Sequence, residues 1–121
     1  MRYLIALAMF TFVGSTLAAD SSNYQLRTAA DLVTVCSVGP SDPNYANALG
    51  FCHGILTGAF RYYESTAANT NRFVCAPTPT PTRAQVMTNF VTWARAHPAD
   101  MKGAPIDTLF KYLAETYPCK T

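Results

Sequence analysis

Four cysteines (Cys36, Cys52, Cys75 and Cys119) and two histidines (His53 and His97) are the side chains of this chain best suited to chemistry. A zinc site would use them together, but zinc sites usually contain short ligand pairs such as C-x-x-C. Here the cysteines are 16, 23 and 44 positions apart, a spacing that favours disulfides over metal. An even number of cysteines in an oxidising compartment forms two bridges and leaves no thiol for nucleophilic catalysis. His53 stands beside Cys52 with no base, orienting group or oxyanion donor near it in sequence. His97 precedes Pro98 at an expected helix end, where the helix dipole favours a cation. Both histidines read as structural or surface residues. The seven acidic residues are scattered, without the close pair that acid/base work requires. No G-x-S-x-G, phosphate-binding glycine loop or H-E-x-x-H occurs. The expectation is a protein that is not an enzyme, with no catalytic residue, metal or cofactor.

The charge balance narrows the partners. The 121 residues carry nine cationic and seven acidic side chains, 9 − 7 = +2, and half the chain is apolar. So small a charge gives no electrostatic footprint for nucleic acid or an anionic membrane surface. The apolar content is far too high for a disordered tail.

Part of that apolar content lies at the start. Arg2 precedes an apolar run from Tyr3 to Val13 interrupted only by Thr11, and Gly14, Ser15, Thr16, Leu17 and Ala18 follow. The run is too short to span a bilayer, and its flanks are those of a secretory signal. The expectation is a signal peptide over 1–18, cleaved after Ala18 or Ala19, and a single exported domain over 19–121.

Beyond it the periodicity is helical throughout. Thr28 and Asp31 have capping-box spacing ahead of Leu32, Val33, Val35 and Cys36, and Gly39-Pro40 closes a short helix. Asp42 as cap and Pro43 at the first helical position predict the start of the next. Tyr45, Leu49, Cys52, Leu56, Ala59 and Tyr63 recur at helical steps, giving a helix near 22 residues, the expected spine of the fold. Gly50, Gly54 and Gly58 interrupt it at steps of four, each unfavourable by about 1 kcal/mol against alanine. Close packing inside the domain is the favoured explanation, and a dimer seam the alternative.

Residues 65–81 are the least regular. An exposed tip is expected at Asn69, Thr70, Asn71 and Arg72, a return to the core at Phe73, Val74 and Cys75, and extended polyproline geometry where Pro77, Pro79 and Pro81 alternate with threonine. Thr82 and Gln85 form a second capping box. Val86, Phe90, Ala94 and His97 mark a third helix that ends before Pro98. Pro105 opens a fourth, on which Ile106, Leu109, Phe110, Leu113 and Tyr117 keep helical period. The fold class is therefore all-α, a small four-helix domain stapled by two disulfides. A short loop between Cys36 and Cys52 joins the first two helices, and an antiparallel hairpin of the last helices returns Cys119 toward Cys75. Cys36–Cys52 with Cys75–Cys119 is the preferred pairing, and Cys52–Cys75 with Cys36–Cys119 the alternative.

Five segments in order carry a family likeness: Asp31-Leu32-x-x-x-Cys36, Phe51-Cys52-x-Gly54-x-x-x-Gly58, Phe73-x-Cys75-x-Pro77, Ala96-His97-Pro98 and Tyr117-Pro118-Cys119. Together they resemble the resistance-associated (Rap) and type VI amidase immunity (Tai) proteins. The resemblance implies a periplasmic, helical, disulfide-bonded protein, often a homodimer. Such a protein shields a bacterium from a peptidoglycan amidase injected by a type VI secretion system, and a surface loop occludes the toxin's cleft. Ile55 stands where many relatives carry an aromatic residue. Exposure alone suggests contacts at Asn69, Asn71 and Arg72, and at Asp100 and Lys102. The alternative function is a small periplasmic acid-stress chaperone or envelope binding protein, for which seven acidic residues are a thin supply.

Overall fold

The computed structural model describes residues 18–120; the greater part of the expected signal peptide lies outside them. Four helices carry the fold: α1 (Ala29–Cys36), α2 (Tyr45–Thr66), α3 (Arg83–Ala96) and α4 (Pro105–Thr116). Short 3-10 turns at Asn23–Gln25, Asn69–Asn71 and Pro98–Lys102 punctuate them. Among the described residues the one β contact is an isolated antiparallel bridge between Val74 and Pro118.

Both expected capping boxes form. Thr28 accepts from the Asp31 amide while the Asp31 carboxylate accepts from the Thr28 amide, and Thr82 and Gln85 repeat the exchange at α3. Each box satisfies two amides that a helix start leaves without intrahelical partners. The Asp31 carboxylate also accepts from the Arg27 amide and the Asn23 side chain, so one side chain ties the leading turn to α1. These bonds, above all that from Asn23, hold its pKa below the ordinary 3.8.

The shortest helix is the hub. α1 touches α2, α3 and α4, and Ala29, Leu32, Val35 and Cys36 are all buried. Leu32, Cys52, Phe90, Leu109, Tyr112 and Leu113 meet in the centre of the core. Burial of the Tyr112 phenol raises its pKa far above the usual 10. α2, the expected spine, buries only Ala48, Cys52 and Leu56 along its 22 residues and leaves much of its surface open. Cys36–Cys52 fastens α1 to α2, and Cys75–Cys119 fastens the 67–81 connector to the tail after α4, so the preferred pairing is the observed one.

Several expectations change. α2 begins at Tyr45, not after Asp42: the Asp42 carboxylate accepts from the Asn44 amide, and its carbonyl from Tyr45. Asp42 and Pro43 thus build a turn ahead of the helix. The stretch in which Pro77, Pro79 and Pro81 alternate with threonine is interrupted by a bend at Thr78 and Pro79, so it is not one continuous polyproline run. Phe73 and Ile106, both assigned to the core by sequence, are 50% and 39% exposed. Gly50, Gly54 and Gly58 are exposed, and nothing else in the described chain lies within 4 Å of where their Cβ atoms would stand. They therefore do not admit a neighbouring element of the domain; the face they flatten is turned outward.

Candidate partner-binding surfaces

The connector after α2 is held at its base and free at its tip. Tyr63, on α2, accepts through its phenol oxygen from the amides of Phe73 and Val74, at 2.8 and 3.0 Å. Two backbone bonds, Cys75 amide to Tyr117 carbonyl and Cys119 amide to Phe73 carbonyl, lock the same stretch to the tail. The Cys75–Cys119 disulfide makes that junction covalent. Tyr63, Phe73 and Phe110 then pack as a trio of rings with centroids 5.1 to 6.1 Å apart. Between these anchors and α2, Asn69–Asn71 makes a single tight turn whose residues are all exposed.

The candidate contact residues divide in two. Asn69 and Asn71 stand at that exposed tip. Arg72 folds back, donating to the Glu64 carbonyl at 3.2 Å while its Nε is buried without a partner. It therefore closes the end of α2. In the other loop Lys102 is exposed, whereas Asp100 is half-buried and accepts from Lys111 through both oxygens at 2.9 Å, which raises the lysine's pKa. Behind it the Gly103 carbonyl accepts from Ala29, joining this loop to α1. A Cβ on Gly103 would stand 3.1 Å from Thr108 Oγ1 and 3.2 Å from the Asp100 carbonyl, so the loop is closely packed there. Asn69, Asn71 and Lys102 are thus free for intermolecular contact, while Arg72 and Asp100 are engaged in holding their loops.

Two concave surfaces adjoin these loops. One is an open groove between the glycine face of α2 and the start of α4, lined by Gly54, Gly58, Tyr62, Phe73, Ile106 and Phe110 among others. Tyr62, Phe73 and Ile106, the large exposed apolar side chains of the described structure, all line it. Sequence periodicity missed this surface. Tyr62 lies one position off the buried stripe, which was the available signal, while Phe73 and Ile106 fit the core pattern and gave none. The second is a half-open cavity of about 220 Å³ bordered by α2, α3, α4 and the proline-bearing connector.

His97 stacks on Trp93 with centroids 4.2 Å apart and bonds through Nδ1 to the Trp93 carbonyl. His53 is half-buried on α2, its Nε2 without a partner. Among the described residues no group of three His, Cys, Asp or Glu could hold a metal ion, and no helix is long and apolar enough to cross a membrane. What remains is a rigid, disulfide-closed helical body with two loops and two concave faces. A family model for Rap1a immunity proteins matches residues 28–119, from the cap of α1 to the last cysteine. The chain belongs to the Rap1a immunity protein family. Curated proteins and solved structures give no match. As a Rap1a protein it is a toxin immunity protein.

Proposed function

We propose that this Rap1a protein works in the periplasm, where it binds a peptidoglycan amidase delivered by a type VI secretion system and occludes its cleft. The family match across the whole helical core carries the reading. Two disulfides without a free cysteine suit an oxidising compartment. The tip at Asn69 and Asn71, projecting from a base clamped by Tyr63 and Cys75–Cys119, suits insertion: a preformed loop loses little conformational freedom on binding. The groove beside Gly54 and Gly58, in which Asp107 is the one charged lining residue, supports a homodimer, since two copies placed face to face would cover the exposed Tyr62, Phe73 and Ile106.

The test is inhibition. Oxidised protein comprising residues 19–121 is mixed with the secreted fraction of cells whose type VI apparatus is active, and the bound partner is assayed on peptidoglycan. An amidase captured stoichiometrically and silenced at an equimolar ratio establishes the role. An undiminished amidase activity in the complex, or no stoichiometric partner during active secretion, refutes it.

A further inference from the structure

The cavity between α2, α3 and α4 has a specific chemical character. Leu56, Phe60, Val86 and Leu113 make an apolar lining, and Arg61 and Arg83 are the charged residues that border it; no acidic side chain does. Arg61 shares its charge with Glu64 at 2.7 Å. Arg83 is the first residue of α3 and pairs with no carboxylate among the described residues. The pocket thus borders the start of a helix whose dipole favours an anion; the capping box engages the Thr82 and Gln85 amides, which leaves those of Arg83 and Ala84 without a partner inside the helix. No acidic residue of the first turn of α3 answers that field.

The volume sets the size of the guest. An apolar cavity of ~150 Å³ holds a benzene ring, so about 220 Å³ accommodates one aromatic or branched side chain with a little to spare. It falls below the roughly 300–1,000 Å³ typical of sites for whole small molecules. A half-open pocket of this size is suited to a single anchoring residue of another protein.

We infer that this cavity receives an apolar side chain of the toxin that carries a carboxylate beside it, the side chain entering between Leu56, Val86 and Leu113 and the carboxylate meeting Arg83 and the start of α3. The inference rests on the immunity reading above and adds to it a second point of attachment. In it the partner inserts into this protein, whereas the projecting loop inserts into the partner.

N-acetylphenylalanine, a ring with one carboxylate, is the probe, and its neutral amide the control. Methyl NMR of the oxidised protein should show saturable shifts at Leu56, Val86 and Leu113, with the amide at least fivefold weaker. Arg83→Glu should weaken the acid tenfold or more, and Val86→Phe, which fills the space, should abolish binding while the helical circular dichroism is kept. Absence of saturable shifts, or equal binding of acid and amide, overturns the assignment. Against the amidase, both variants should bind at least tenfold more weakly than wild type. Full affinity in both sinks the pocket's role at the interface and leaves the immunity reading standing. A wild-type protein that binds no amidase sinks the immunity reading itself.

Discussion

Single side chains hold the functional loops, and two of them lend themselves to measurement. The Tyr63 phenol oxygen is the acceptor for two consecutive backbone amides, those of Phe73 and Val74. Tyr63→Phe keeps the ring trio and removes that acceptor, and a half-buried donor left without a partner costs about 1–3 kcal/mol. Urea unfolding should show a loss in that range, and hydrogen exchange should quicken at Phe73 and Val74 ahead of the helices. Asp31 gives a pH signature. Folding lowers its pKa, so the ionised carboxylate stabilises the fold fully above the ordinary 3.8, and the contribution disappears as pH falls through the lower folded value. Asp31→Asn should therefore lower Tm at neutral pH and converge with wild type once both carboxylate states are protonated. A Tm difference that persists unchanged in strong acid would show that the bonds to Asn23, Arg27 and Thr28 do not depend on the charge.

At the scale of elements, caps and buried stripes were legible in the sequence, because both are local. Thr28 with Asp31 and Thr82 with Gln85 announced two helix starts from three-residue spacings alone. Asp42-Pro43 misled because the same pair initiates a turn as readily as a helix, and the choice depends on where the Asp42 carboxylate finds an amide. Exposure was less legible. Periodicity places Ile106 on the apolar face of α4, but only the packing of α4 against its neighbours determines which edge of that face stays open. The glycines of α2 were visible as an anomaly, and their surroundings were not. Since nothing beyond the local turn of α2 stands within 4 Å of their missing Cβ atoms, Gly50→Ala, Gly54→Ala and Gly58→Ala should each stabilise the isolated chain by roughly 0.5–1 kcal/mol through helix propensity. Thermal unfolding at low concentration measures this. At high concentration the added methyl groups at Gly54 and Gly58 should weaken self-association, read by analytical ultracentrifugation; an unaltered dimer would place its seam elsewhere.

For the whole molecule, the two disulfides supply a large share of the net stability. A chain of this size buries only about two-thirds of the surface its unfolded form exposes, and its longest helix buries three residues. In the chain-entropy estimate, closing loops of 16 and 44 residues contributes about 3 and about 4 kcal/mol, comparable with the net stability of many domains. Replacing Cys75 and Cys119 together by alanine should therefore destabilise more than replacing Cys36 and Cys52. It should also release the base of the connector and so impair toxin binding more than helix content. Equal denaturation midpoints for the two double variants would show that unfolded-state loop length does not dominate.

The two bridges also do not interleave: each joins cysteines that are neighbours in the sequence, Cys36 with Cys52 and Cys75 with Cys119. A chain crossing a membrane from its amino end presents its thiols in that order. In the export proposed above, the first pair can therefore close before Cys75 emerges, and the second once Cys119 follows it. An oxidase that joins each newly arrived cysteine to the free one before it produces the native pairing without a shuffling step. Maturation of this protein should consequently be indifferent to loss of a disulfide isomerase and fully dependent on the oxidase.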